Sequence, residues 1–302
     1  MHSQCANTNE SDAMVDKLEV VKAKLTILID NTVMELIPDS DMVKRKSGPN
    51  MSFLAEHGFS ALIETEDEKV LIDTGATGIA LEHNLKLLGL TMDDIDVVVF
   101  SHGHNDHTGG IGKVTGRIVA HPDSFLQRYL TPNEKTSYEL TAPAPDPEKH
   151  QVEFHRGSTK LAKGIISTGE VERIHAWEEL PVFRIMRNGT MENDRVLDDQ
   201  GIVINTAQGL VVIQGCSHAG IINTIEAAKS ITGIDEVYCV IGGFHLIGPG
   251  EKKIGRTIEE FKRLGVRKIV PIHCTGFEGI KQISTQMPQN FEYCTAGCEI
   301  NF

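Results

Sequence analysis

The 302-residue sequence lacks any apolar run close to the roughly 20 residues of a membrane-crossing helix, which excludes that class. A secretory leader is not expected either. MHSQCANTNESDAM has no basic start and no apolar centre, and residues 1–17 read as a frayed tail. Basic charge is short: 29 Lys and Arg stand against 42 Asp and Glu, a net charge of −13. Such a surface disfavours nucleic acid and anionic membranes as partners. A small anionic substrate stays open, because bound metal ions make a site locally positive. Six cysteines without a paired framework point to reduced thiols and a cytoplasmic setting. Neither G-x-x-x-x-G-K nor G-x-G-x-x-G occurs, so nucleotide binding has no support.

What the chain does have is core material. Hydrophobic residues make up 40% and charged residues 24%, enough for one folded domain over residues 18–302. AKLTILIDN (23–31), GFSALIET (58–65) and EKVLIDTG (68–75) predict strands, the last two joined by an acidic turn. TGIALEHNLKLLGL (77–90) has helical spacing with a stop at Gly89. DIDVVVFS (94–101) and GRIVAH (116–121) predict strands, and PDSFLQRYL (122–130) a short helix. Residues 131–150 carry Pro132, Pro143, Pro145 and Pro147 without periodicity, and predict a lid or binding loop. Residues 199–215 predict a hairpin turning near Gln208-Gly209. Then IINTIEAAKSITG reads as helix, EVYCVIGGF as strand, TIEEFKRLG as helix and RKIVPIH as strand. The pattern fits an αββα sandwich or a doubly wound sheet.

Directly after Val97–Phe100 comes SHGHNDHTGG, with three histidines and an aspartate between His102 and His107. His102 and His104 are two residues apart, so extended backbone points both to one side. Asp106 and His107 follow on the next bend. Imidazole and carboxylate in that density are metal-ligand chemistry. One such turn does not fill two coordination spheres, and three further strand ends offer donors. VVIQGCSHAG offers Cys216 and His218, VYCVIGGFHL offers His245, and KIVPIHCTG offers His273 and Cys274. His245 is open between ligand, substrate-facing group and structural histidine, and Cys216 between soft ligand and small buried hydrophobe. His57 lacks the strand-end pattern, and Cys294 and Cys298 form a lone pair near the terminus.

SHGHNDHTGG resembles the His-x-His-x-Asp-His signature of the metallo-β-lactamase superfamily, and LIDTG before it fits too. LIDN, EHGFSALIET, GCSHAGIINT, IGGFHL and PIHCTG extend the likeness to most of the chain. Together they resemble the branch named for 7,8-dihydropterin-6-yl-methyl-4-(β-D-ribofuranosyl)aminobenzene 5′-phosphate synthase. The resemblance implies an α+β fold, a four-layer αββα sandwich with the site along one edge. It implies two divalent metal ions, zinc first, with manganese or iron also compatible. His102, His104 and His218 would hold one ion and Asp106, His107 and His273 the other. Asp106 would also act in catalysis by orienting the nucleophile, and Asp73 would orient the histidine loop. One departure stands out. Where relatives carry a bridging aspartate, this chain reads Gly215-Cys216-Ser217-His218, leaving water, Cys216 or His218 as the bridge.

The implied activity is that of a metal-dependent enzyme on a small phosphorylated or pterin-like molecule. Hydrolysis of a phosphodiester, ester or lactone is the alternative chemistry, and a metal-binding sensor without turnover the alternative class. A di-iron redox role ranks last for want of a flavin domain. Ser217, Gly242-Gly243, His245 and Lys135 are candidate phosphate donors, and a homodimer is compatible with the sequence.

Overall fold

The structure, a computed structural model, describes residues 18–302 except 37, 47, 49, 50, 134, 135, 140–145, 181 and 249, with backbone alone for 131–133 and 136–139. The tail expected over 1–17 and the phosphate donor Lys135 lie outside the described residues.

In chain order the strands begin with β1 Lys24–Ile29, β2 Val43–Arg45, β3 Ser60–Glu64, β4 Lys69–Ile72, β5 Val97–Val99 and β6 Arg117–Ala120. They continue with β7 Arg128–Asn133, β8 Thr136–Glu139, β9 Gln151–Phe154, β10 Thr159–Ala162, β11 Ile165–Ser167, β12 Phe183–Arg187 and β13 Thr190–Asn193. The last five are β14 Ile202–Thr206, β15 Gly209–Gln214, β16 Val237–Gly242, β17 Lys268–Pro271 and β18 Cys298–Asn301. The helices are α1 Ile79–Leu87, α2 Asn105–Thr108, α3 Ile221–Thr232, α4 Glu251–Arg263 and α5 Gly276–Gln286.

Period-two alternation builds the layers. In β4, Val70 and Ile72 face the second sheet while Leu71 faces outward to α1. In β15, Val211 and Ile213 face the first sheet while Leu210 and Val212 face Ala228 of α3. Strands with two apolar faces must be covered on both, and they are. The inner faces of the two sheets share one buried cluster, with Leu25, Ile63 and Val99 on one side and Ile204, Ile241 and Val270 on the other. Ala80, Leu81 and Leu85 of α1 cover one outer face, and helices α3, α4 and α5 the other. That is the four-layer αββα sandwich, and it decides against the doubly wound sheet. Fully burying one such Leu, Ile or Val is worth about 1.5–3 kcal/mol.

The first sheet runs β2-β18-β1-β3-β4-β5-β6-β9 and the second β10-β11-β14-β15-β16-β17. In the first, β4, β5 and β6 are parallel, and in the second β15, β16 and β17 are. Their C-terminal ends therefore line up, three from each sheet. Among the described residues no helix is long and apolar enough to cross a membrane.

The third sheet, β13-β12-β7-β8, is where two expectations fail. PDSFLQRYL was expected as a helix. Only Pro122–Phe125 coils, as a 3-10 turn capped by the His121 ring, and the chain is strand from Arg128. Arg128 sits fully buried, its Nε 2.6 Å from Asp194 Oδ2 and its Nη2 2.5 Å from Asp198 Oδ1. Two buried carboxylates draw the arginine in and override local helical spacing. The stretch 131–150 was expected to be loop, yet β7 reaches Asn133 and pairs with β8. Proline did not prevent this, because Pro132 falls where the register shifts between Leu130 and Asn133, and proline is tolerated at such an irregularity. Helix α4 also begins at Glu251, six residues before the expected Thr257.

Candidate metal centre

Every candidate donor comes from a strand end on the shared edge. After β4 comes Asp73, after β5 the 101–107 turn, after β15 Cys216 and His218, after β16 His245, and after β17 His273. Asp73, Ser217, His245 and His273 all have left-handed backbone, with φ of 54°, 58°, 46° and 50°. Non-glycine residues rarely hold that conformation, and it clusters at functional sites. Two glycines let the segments close. A methyl on Gly103 would collide with the Ser124 carbonyl and the Arg128 guanidinium, and one on Gly215 with the Ser101 hydroxyl.

The donors fall into linked groups. One ligand atom each from His102, His104 and His218 lies within 4.8 Å of the others, as does one each from Asp106, His107, Cys216 and His273. Cys216, His218 and His245 form a third group that overlaps both. The Cys216 sulfur lies 3.2 Å from His107 Nε2 and 3.2 Å from His273 Nε2. The sulfur thus belongs to the second group, and its place with His218 in the third links that group to the first. Asp106 Oδ2 lies 3.5 Å from His107 Nε2 and 3.4 Å from His273 Nε2.

Hydrogen bonds fix which nitrogens face inward. Asp73 Oδ2 accepts from His107 Nδ1 at 2.7 Å and from the Ser101 hydroxyl at 2.6 Å, and Oδ1 accepts from the Ser101 N–H at 2.7 Å. With its proton given to Asp73, the Ser101 oxygen is free to accept from His102 Nδ1, 3.1 Å away. Asn31 Oδ1 accepts from His273 Nδ1 at 3.0 Å, and Asp30 Oδ1 takes the His273 N–H at 2.8 Å. For His102 and His273 the outer nitrogen can carry the hydrogen and leave the Nε2 lone pair facing the centre, whereas His107 would first give up its Nε2 proton to a bound cation.

Burial pushes His102, His104 and His218 well below the usual histidine range, so they are neutral. Burial also pulls His107 down, but the Asp106 and Asp73 carboxylates outweigh it and lift it to about 9. Burial alone would raise Asp106, yet the His107 and His273 rings hold it well below the carboxylate range. Among the described residues, His104 Nε2, both ring nitrogens of His218 and His245 Nδ1 are buried without a hydrogen-bond partner. An orphaned buried polar group costs about 1–3 kcal/mol. Neutral imidazoles with unspent nitrogens, packed against a thiol and a carboxylate, fit a divalent cation.

Several contributors were not read from the sequence. Asp198 Oδ2 accepts the Gly103 N–H at 2.8 Å, and Asp199 Oδ2 accepts the Ala219 N–H at 2.8 Å beside His218. Glu178 accepts from the Ile222 and Asn223 N–H groups at the start of α3. Phe183 packs its ring 4.9 Å from that of His218. The signal for the aspartates was DDQ just before β14; Phe183 had none. His57 Nε2 approaches to 3.5 Å of Asp106 Oδ2 from an exposed position. Ser217 donates its hydroxyl to the Gly243 carbonyl and is not free for phosphate. Cys294 and Cys298 are buried, apart from the centre, with the Cys298 sulfur taking the Thr295 N–H.

The family model of the metallo-beta-lactamase superfamily matches residues 55–229. A 7,8-dihydropterin-6-methyl-4-(beta-D-ribofuranosyl)-aminobenzene-5′-phosphate synthase of Methanocaldococcus jannaschii is 34% identical, covering 85% of this chain and 93% of that one. A UPF0173 metal-dependent hydrolase of Bacillus licheniformis is 25% identical, covering 76% of this chain and 88% of that one. A solved metal-dependent hydrolase of the beta-lactamase superfamily superposes with a TM-score of 0.75 at 28% identity, over 92% of this chain and 98% of its own. The matched span holds the whole histidine turn, and the strand ends bring the remaining donors to it: the chain belongs to the metallo-beta-lactamase superfamily, as one of its enzymes.

Proposed function

We propose that this chain is a two-metal enzyme acting on a small phosphorylated, pterin-linked substrate. The observation that carries the reading is the continuous donor array, in which the Cys216 sulfur joins the His102–His104–His218 group to the Asp106–His107–His273 group. The synthase relative, similar over nearly its full length, supports the substrate class. The hydrolase relatives support a second reading, cleavage of a phosphodiester, ester or lactone with the same centre.

His102, His104 and His218 would hold one ion, Asp106, His107 and His273 the other, and the Cys216 sulfur, within reach of both sets, would be a further donor once a bound cation displaced its proton. Imidazole, thiolate and carboxylate together suit zinc first, then iron or manganese. Bound divalent ions would polarise a phosphoryl or carbonyl oxygen and acidify a water to a pKa near 7. The chain's own residues do the rest. Asp73 and Asn31 keep the His107 and His273 lone pairs aimed inward. The Asp106 carboxylate accepts a hydrogen bond from the attacking water and so orients it. Buried apolar strand ends exclude bulk water.

Elemental analysis should find two metal ions per chain, and a chelator should abolish turnover of phosphodiester and lactone surrogates. His104→Ala should lose most metal and activity while staying folded. Turnover that survives exhaustive chelation would overturn the enzyme reading, and metal-loaded protein inert on every surrogate would favour a sensor.

A further inference from the structure

A cavity of about 190 Å³ opens beside His218. Whole-ligand pockets run about 300–1,000 Å³, so this one takes part of a substrate. Leu180, Phe183 and Val196 give it an apolar wall. The Phe183 ring centre lies 4.9 Å from that of His218, 5.2 Å from His104 and 6.2 Å from His245. One aromatic ring thus borders both the cavity and the candidate metal centre.

The Val196 wall is held in an unfavourable conformation. Its φ is 50°, rare for a β-branched residue. Asp194 Oδ1 accepts the Val196 N–H at 2.7 Å and Arg173 Nη2 donates to the Val196 carbonyl at 2.8 Å, both fixing that strain. The charges around the mouth are already matched. Arg195 pairs with Glu179, and Asp194 Oδ2 is taken by Arg128. Arg195 and Glu179 lie at the exposed mouth, while a neutral ring placed deeper would meet Phe183, Leu180 and Val196.

We infer that this cavity is the subsite for an uncharged planar ring of the substrate, stacked on Phe183, with the reacting group toward His218 and Asp106. This rests on the enzyme reading above and adds where the ring lies. Offset stacking on an aromatic side chain adds to the burial of the ring's area.

The test uses metal-loaded protein and two non-hydrolysable probes with the same anionic head, phenylphosphonate and methylphosphonate, measured by titration calorimetry. The phenyl probe should bind wild type about fivefold or more tighter than the methyl probe. Phe183→Leu should bring that ratio close to one, with methylphosphonate affinity and metal content unchanged. Asn193→Trp, at an exposed position on the cavity rim, should block the phenyl probe alone and serves if Phe183→Leu does not fold. An unmoved ratio in the variants overturns the subsite, as does Phe183→Leu losing metal in step with affinity, which would mark Phe183 as packing for the histidines. Because binding is read without turnover, the two readings fail separately. A phenyl preference in a protein that turns nothing over removes the enzyme reading alone, and turnover without the preference removes the subsite alone.

Discussion

Asp73→Asn isolates one interaction at the heart of the candidate centre. Asparagine tolerates the left-handed backbone that position 73 requires, so no backbone strain is added. The native carboxylate accepts from three donors: the His107 ring, the Ser101 hydroxyl and the Ser101 N–H. An amide has one accepting oxygen. With its NH₂ turned toward His107, the ring must flip its tautomer and present N–H, not a lone pair, to the metal position. With its NH₂ turned toward the Ser101 N–H, two buried donors face each other at a cost of about 1–3 kcal/mol. Loss of such an outer partner weakens metal affinity about 10–100-fold, or roughly 1.4–2.7 kcal/mol. Competition against a chromophoric chelator measures this, with circular dichroism to confirm the fold. The weakening should be greater for the ion on the His107 side, because Asp73 reaches His102 only through Ser101. Wild-type affinity in a folded Asp73→Asn protein would refute the tautomer argument.

Other consequences can be measured directly. Cys216→Ser should drop the metal count from two toward one, and Cys216→Asp should restore it; a full complement in Cys216→Ser would show that the thiol is not a metal donor. Arg128→Met strips the counter-charge from Asp194 and Asp198 in a fully buried setting and should cost about 3–5 kcal/mol in urea unfolding; unchanged stability would mean those carboxylates reach water. Burial lifts the Glu178 carboxyl from 4.5 to about 7, against the Asn223 and Ile222 N–H groups that lower it. Between those values the folded state keeps a proton that the unfolded chain has lost, so stability falls as pH rises through that window, by about 3 kcal/mol overall. Glu178→Gln should flatten that slope in unfolding curves from pH 4.5 to 8, and superimposable pH profiles would contradict it.

The local part of the candidate centre was legible in the sequence. Three histidines and an aspartate within six residues, after a run of valines, can only land together on one turn, so His102, His104, Asp106 and His107 needed no tertiary information. The two-faced apolar strands likewise announced a covered sheet, since chain spacing alone fixes which side chains share a face. Arg128 was misread because its strand conformation is imposed by carboxylates 66 and 70 residues away, and no window of local spacing contains them. Asn31 shows the same limit: its contact with the His273 ring spans 242 residues. The meeting of Cys216 with His107, across 109 residues, was decided only when β5 and β15 ended on one edge of two packed sheets. Spacing along the chain dictates neighbours within a turn. The parallel ladders and the apolar seam between the sheets dictate which distant strand ends converge, and there alone a cysteine becomes the group between two sets of histidines.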